Sequence, residues 1–296
     1  MKNKSKINII FPYNSVGGAF RSTYEIGNRL TNLGYEVVVY FPFFPLMKGR
    51  KLFSIENIFF FIRGIGRSLI RRNKVFWFDV NFKVKIVPFL NDFFIENADI
   101  VIANHWVTAE NVYRLSKNKG EKYYFIRDIE QWSPHFEHVK DAFKLDMKKL
   151  VVADWIKDYL KKELDLDVEA VITNGLNFKI FKVEDKKYNL KNATISMIFS
   201  SHPMKGIEDA VYVLEKIYKK YPDIKIILFG FEPKPKNLNF KFTYLRGLAG
   251  SSVKEVYAKS DIFLSTSIQE GFNNPPSEAM AAKCAVLATN VGSSPH

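Results

Sequence analysis

The 296-residue sequence predicts an α/β protein of two Rossmann-like, doubly wound domains, residues 1–175 and 176–296. Three observations carry the prediction. Short apolar runs of strand length alternate with helical periodicities along most of the chain. The alternation breaks once, at the polar, lysine-rich link Val183–Lys191, and then begins afresh. The first run is followed by a glycine turn, a helix and a second run, which is the order of a βαβ unit in a parallel sheet.

The elements follow in order. Ile7–Phe11 is an apolar run closed by Pro12 and Asn14, hence a buried strand. After Val16-Gly17-Gly18, Ala19, Thr23, Ile26, Leu30 and Leu33 recur at helical spacing until Gly34 stops the helix. Glu36–Phe41 is the next strand. Asp99–Ala103 predicts a strand and Thr108–Lys117 a helix. Tyr123–Ile126, Leu150–Ala153 and Ala170–Thr173 are strands, and Asp154 is read as the N-cap of a helix running through Leu164. Asn174-Gly175 turns the chain. In the second half, Ile195–Ser200 is a strand. Ile207, Ala210, Val211, Leu214, Ile217 and Tyr218 form one helical stripe. Ile224–Phe229, Phe242–Leu245, Ile262–Ser265 and Val286–Thr289 are strands, with helices near Val253–Lys259 and Ser277–Lys283. A doubly wound domain continues with a covering helix after such a last strand, so the second domain is expected to be incomplete and the native product longer.

Composition narrows the class. Hydrophobic residues make up 47% and charged residues 25%, a globular balance. Cys284 is the one cysteine, so no disulfide forms within the chain and a reducing compartment is expected. The first apolar run is too short for a signal peptide, and no run approaches the roughly 18 residues of a membrane span. A cytoplasmic protein is expected. The net charge is +13, and residues 44–95 carry ten basic side chains against three acidic ones. An anionic surface is the natural partner of that stretch. Within it, Ile55–Arg72 mixes phenylalanines and isoleucines with Arg63, Arg67, Arg71 and Arg72. It reads either as an amphipathic helix on the inner face of the cell membrane or as a helix packed on the sheet with a basic solvent face. Nucleic acid is not expected as a partner, because no recognition module accompanies the charge.

The stretch Ser267-Ile268-Gln269-Glu270-Gly271-Phe272-Asn273-Asn274-Pro275-Pro276-Ser277-Glu278-Ala279-Met280-Ala281 carries the chemistry. It lies past the carboxyl end of a strand, where open α/β sheets bind ligands. Glu270 is read as the end of the strand segment. Gly271 lets backbone amides approach a ligand. A helix starting near Pro276 would offer N–H groups and a positive dipole end to an anion. Glu278 then falls in its first turn, facing ribose hydroxyls or merely complementing the dipole.

With that context the chain closely resembles family 4 of the retaining glycosyltransferases, which have the GT-B fold of two Rossmann-like domains around a cleft. The pair Glu270 and Glu278, with seven residues between them, sits in the family's Glu-Gly-Phe-x-x-Pro-x-x-Glu-Ala-Met-Ala pattern. Ala285–Gly292, Asn174-Gly175-Leu176-Asn177 with Phe181, Gly17-Gly18 and Lys205-Gly206 also match. The resemblance implies that Glu278 binds the donor ribose. It implies that Glu270 holds a donor-sugar hydroxyl with the amides of Gly271, Phe272 and Asn273, and that Lys205 binds the diphosphate. Gly17 and Gly18 are placed with the donor-binding residues. A lysine in a strand-to-helix turn is also suited, on chemistry alone, to neutralise a leaving phosphate.

Three features depart from the family. Ser200 stands where many members have an arginine, so either Arg246 or His202 meets the diphosphate charge instead or the diphosphate is bound more weakly. Where many members have a donor-facing histidine, alignment puts Asn104, with His105 next to it, and either can take that role. The run Tyr124-Phe125-Ile126-Arg127-Asp128-Ile129-Glu130 resembles a rhamnosyltransferase-like subgroup; its acids either position an acceptor hydroxyl or are surface charges. The expected reaction moves a sugar from a nucleotide-diphosphate sugar to a glycan or lipid-linked acceptor hydroxyl, with retention and without metal or cofactor. The alternative is an inactive relative that binds a nucleotide or glycan. His135 and His138 lack a third ligand nearby, and Asp165 and Asp167 read as a solvated turn, so no metal site is expected.

Overall fold

The computed structural model describes residues 5–14, 16–43, 75, 77–189, 191–248 and 250–294. The basic segment Ile55–Arg72 lies outside the described residues. The chain divides into two compact units, Met1–Thr173 and Asn174–His296.

The first unit is a seven-stranded sheet in the order β3-β2-β1-β4-β5-β6-β7. Its strands are β1 (Lys6–Ile10), β2 (Glu36–Pro42), β3 (Lys83–Val87), β4 (Ile100–Ala103), β5 (Glu121–Ile126), β6 (Lys148–Val151) and β7 (Ala170–Val171). Every pairing is parallel. The helices are α1 (Gly18–Asn32), α2 (Trp106–Arg114), α3 (Phe136–Lys144) and α4 (Asp154–Leu164). Ile7, Ile9, Val37, Val39 and Phe41 are buried against Tyr24 of α1. Phe11 stacks on Phe20 at 4.8 Å and on Phe41 at 5.6 Å, which ties the ends of β1 and β2 to the first turn of α1.

The second unit holds a five-stranded parallel sheet ordered β10-β9-β8-β11-β12. The strands are β8 (Thr194–Ile198), β9 (Lys225–Gly230), β10 (Thr243–Arg246), β11 (Ile262–Ser265) and β12 (Ala285–Ala288). Its helices are the short α5 (Phe178–Phe181), α6 (Ile207–Lys220), α7 (Lys254–Lys259) and α8 (Asn274–Ala281). Alternation along β9 sends Ile226 and Leu228 into one layer with Leu214 of α6. Ile227 and Phe229 go into the other, with Tyr257 and Ala279. Both faces of that strand are therefore apolar, as a central parallel strand requires. At the edge, Val286 packs into the second layer while Leu287 on the opposite face is 61% exposed.

In each unit the strand order reverses once, between β1 and β4 and between β8 and β11. At such a reversal neighbouring loops leave in opposite directions and open a crevice at the carboxyl ends of the strands. The two polar clusters lie there.

The local expectations need four corrections. Asp154 is the first helical residue of α4 and Ala153 its cap. Glu270 does not end a strand: β11 stops at Ser265, and Glu270 lies in the loop beyond it. α8 begins at Asn274, not near Pro276. Glu278 is consequently its fifth residue, in the second turn, and no acid occupies the first.

Candidate functional site

In the second unit the loops after β8 and β11 meet. After β8, residues Pro203–Lys205 form a single 3-10 turn whose nitrogen end is capped by His202, with Nδ1 accepting from the Met204 amide at 3.3 Å. Gly206 closes the turn at φ +58, and a Cβ there would stand 2.0 Å from the Thr266 carbonyl oxygen. Only glycine satisfies both the left-handed backbone and that approach. The Ile268 amide donates to the Met204 carbonyl at 2.8 Å, and the Thr266 hydroxyl to the Lys205 carbonyl at 3.2 Å. The two loops are thus hydrogen-bonded together, and Lys205 reaches across the seam.

Its ammonium lies 2.5 Å from Glu270 Oε1, and the same oxygen accepts from the Ser267 hydroxyl at 2.6 Å. The side chains remain 31% and 16% exposed. Lys205, Thr266, Ser267, Glu270, Asn273 and Pro275 line one small hollow, partly open to solvent, over the ends of β8 and β11. Glu278, on α8, is 4% exposed and accepts from the Tyr257 hydroxyl at 3.2 Å.

The sequence explains the local shape of α8. Asn273 caps it from the left-handed region, φ 71. Pro275 and Pro276 fall at the second and third helical positions, where an N–H has no partner inside the helix, so two prolines cost little. They also remove two of the amides expected to face an anion. The loop amides of Gly271–Asn273 and that of Asn274 remain. Gly292, at φ +62, lets the chain after β12 close on this loop, and Ser293 donates from its amide to the Phe272 carbonyl at 2.7 Å.

Arg246 ends β10 two strands away from β8, exposed, with Nε donating to the Phe231 carbonyl at 3.1 Å. Ser200 donates to Glu232 at 3.1 Å, as does the Ser201 amide at 2.7 Å. Burial opposes the Glu232 charge, but these hydrogen bonds outweigh it and hold its carboxyl below the ordinary value. Ser200, which stands where the resemblance leads to the expectation of an arginine, thus faces an acid. Glu232 was missed in the sequence, although its place just past β9 was a positional signal. Tyr257 was missed too, since nothing in the sequence links it to Glu278. Ser267 opens the quoted motif but drew no role.

In the first unit, Asn104 and His105 follow β4, and Gly17 caps α1, which starts at Gly18. Asn104 is 4% exposed; its Oδ1 accepts from Thr23 at 3.3 Å, and its Nδ2 has no partner among the described residues. His105 caps α2, with Nδ1 accepting from the Val107 amide at 3.3 Å. Its Nε2 points to Glu130 Oε1 at 3.5 Å. The Trp106 indole donates to Glu130 Oε2 at 2.9 Å. Glu130 itself sits at φ 54, a costly conformation for a glutamate.

Burial pulls His105 down to about 4. Burial also pushes Glu130 up to about 7, with the Trp106 hydrogen bond opposing and the Asp128 charge adding. Both are therefore neutral between those values. Arg127 is lowered to about 10 by burial, lies 4.7 Å over the Phe125 ring and donates to the Ser22 hydroxyl.

Elsewhere, Asp165 and Asp167 pair with Lys161 at 2.8 and 3.2 Å on the surface. Among the described residues no three His, Cys, Asp or Glu side chains gather as metal ligands would. No described helix is long and apolar enough to cross a membrane.

Two parallel Rossmann-like sheets, each with a polar cluster at its strand-order reversal, define the class as a GT-B fold. Solved structures agree. Sucrose-phosphate synthase from Thermosynechococcus elongatus superposes with a TM-score of 0.66 at 15% identity, over 98% of this chain and 82% of that one. S. aureus TarM, in complex with Fondaparinux, alpha-GlcNAc-glycerol and UDP, gives 0.67 at 13%, over 97% and 86%. The catalytic domain of starch synthase IV from Arabidopsis thaliana, bound to ADP and acarbose, gives 0.64 at 12%, over 99% and 84%. At these identities the likeness establishes the fold.

Residues 193–296 match the family described as glycosyl transferases group 1. The trehalose synthase of Thermococcus litoralis is 24% identical over 199 residues, 60% of this chain and 46% of that protein. The phosphatidylinositol N-acetylglucosaminyltransferase GPI3 subunit of Saccharomyces cerevisiae is 24% identical over 152 residues, 46% of this chain and 34% of that protein. The chain spans less than half the length of these relatives.

Proposed function

We propose that the chain is a glycosyltransferase moving a sugar from a nucleotide-diphosphate donor to an acceptor hydroxyl, with retention and without a metal. The observation that carries this reading is the meeting of Lys205 and Glu270 over the β8–β11 reversal, with Glu278 on the helix that follows the Glu270 loop. Three groups of that kind suit the three parts of such a donor. Lys205 takes the diphosphate, Glu270 and the Gly271–Asn273 amides take sugar hydroxyls, and Glu278 takes the ribose. Arg246, at the end of β10, and His202, on the loop after β8, are the groups that would supplement Lys205 toward the diphosphate. The family match over residues 193–296 covers this site, and two structural neighbours were determined with UDP and ADP.

On this reading the diphosphate departs as Lys205 meets its growing charge, an interaction that strengthens toward the transition state. The acceptor attacks from the same face, and a departing phosphate oxygen helps take its proton. Asn104 or His105 contacts the donor sugar. Asp128 and Glu130 orient the acceptor hydroxyl, which belongs to a glycan or a lipid-linked glycan. Gly17-Gly18 at the start of α1 contributes backbone toward the donor. Residues 44–95 hold the protein to the inner face of an anionic membrane.

The test is incubation with UDP-, ADP- and GDP-linked sugars while nucleotide release is followed. Release from one donor, accelerated by an added glycan acceptor, is the expected result. Binding without release from any donor would turn the reading into that of a nucleotide-binding relative.

A further inference from the structure

The groups assigned to the diphosphate and to the sugar are hydrogen-bonded to each other in the structure. The Lys205 ammonium has one acidic partner among the described residues, Glu270 at 2.5 Å. That carboxylate oxygen also takes the Ser267 hydroxyl. Both loops are fixed: Gly206 presses against the Thr266 carbonyl, and Ile268 is hydrogen-bonded to Met204. The pair therefore forms without movement of the backbone, and it leaves this part of the hollow electrically neutral.

We infer that the Lys205–Glu270 pair selects the sugar-bearing nucleotide over the bare nucleoside diphosphate. The inference rests on the donor-site reading above and concerns how that site discriminates. A diphosphate entering the hollow competes with Glu270 for the ammonium. If it wins, Glu270 loses its cation yet stays beside a second anion, with the Ser267 hydroxyl still donating to it. Charge at close range in a partly desolvated site makes that arrangement unfavourable. A nucleotide sugar brings its own remedy. Its hydroxyls donate to the released carboxylate, so cation and anion are both satisfied at once. Bare diphosphate, which is the product, has no such donors and is held less tightly. The glutamate thus acts against the wrong ligand as much as for the right one, and turnover is relieved of product inhibition.

The distinguishing consequence is a gain of binding on mutation. Glu270→Gln keeps the shape and can still hydrogen-bond, but frees the ammonium. Calorimetry with inorganic pyrophosphate, UDP, ADP and GDP, and with UDP-glucose, ADP-glucose and GDP-mannose, measures the preference. The variant should bind pyrophosphate and the matching nucleoside diphosphate about tenfold more tightly, while the nucleotide sugar gains nothing or loses affinity. Its donor-to-product preference should fall by at least about tenfold on the same scale. If the Gln variant melts well below the parent, Glu270→Asp serves instead, with a smaller gain because the shorter acid holds Lys205 less closely. Unchanged or weaker binding of the bare diphosphates in a folded variant would overturn the inference and leave the donor site standing. Failure of every nucleotide and nucleotide sugar to bind the parent protein would overturn the donor-site reading, and the inference with it.

Discussion

The two units reverse their strand order in the same way, yet the polar groups at the two reversals have settled differently. At β8–β11 a lysine and a glutamate are partly solvated and closed into an ion pair. At β1–β4 a histidine and a glutamate face each other at 3.5 Å, and burial drives both toward their neutral forms. Topology supplies a crevice in both places; solvent access decides what chemistry the crevice suits. A half-open crevice keeps charges and suits an anion such as a diphosphate. A buried one sheds them, which suits hydroxyl groups that both give and accept hydrogen bonds. Asn104, whose Nδ2 has no partner among the described residues, follows the same strand, β4, as His105.

That contrast can be broken at its charged side first. Lys205→Ala should lower turnover by roughly 10²–10³ while donor affinity falls far less, because leaving-group charge develops after binding. Steady-state kinetics beside calorimetry separates the two effects, and equal losses in both would reduce the lysine to a ground-state anchor.

The neutral side is tested by pH. Glu130 has a folded pKa of about 7, above its ordinary 4.5. The native state therefore binds that proton more tightly, and stability falls as pH rises from 4.5 to 7. His105 acts oppositely: its folded value of about 4 lies below 6.5, so stability rises with pH between those values. The slopes offset each other over most of the same window. Glu130→Gln should leave stability near pH 4 unchanged and raise it above pH 7 by on the order of 2 kcal/mol. It should also uncover the rising histidine slope in urea unfolding at stepped pH. A variant that tracks the parent at every pH would show the carboxyl to be solvated after all.

A third change probes Glu278. Glu278→Gln retains a partner for Tyr257 and should weaken nucleotide-diphosphate binding by about tenfold with little change in melting temperature. Unaltered affinity would assign this buried acid to packing alone. The mildest test is Trp106→Phe, which takes one hydrogen bond from Glu130. It should cost about 1 kcal/mol and raise the Glu130 titration midpoint further, read from the pH dependence of unfolding.

The fold was legible because central parallel strands are buried on both sides and write continuous apolar runs, as in Ile7–Phe11 and Glu36–Phe41. It failed where that rule lapses. β3 lies at the sheet edge and alternates Lys83 and Lys85 with Val84; its lysines pair with Glu36 and Glu96, so the run looks polar. α3 was missed because His138, Lys140 and Asp141 dilute a stripe of just Val139, Ala142 and Phe143. The motif residues were picked out, but the placing of Glu278 went astray at a boundary. Two prolines marked the helix start correctly in kind; the left-handed Asn273 moved it upstream. Partners that lie far apart in sequence, such as Tyr257 with Glu278 and Trp106 with Glu130, leave no local pattern to find.

The strand order also fixes when each site can come into being. β8 is made next to β9 in the chain, but its other neighbour, β11, comes much later. Glu270 follows Lys205 by 65 residues. At ordinary rates of synthesis that separation lasts about 3–13 s. In the interval β8 shows a bare edge, and the lysine that will hold Glu270 has no counter-charge yet made. β1 waits longer still, since Lys6 is hydrogen-bonded to Asp99, 93 residues on. The open edges of β1 and β8 are thus where the growing chain is most exposed to pairing with the wrong strand.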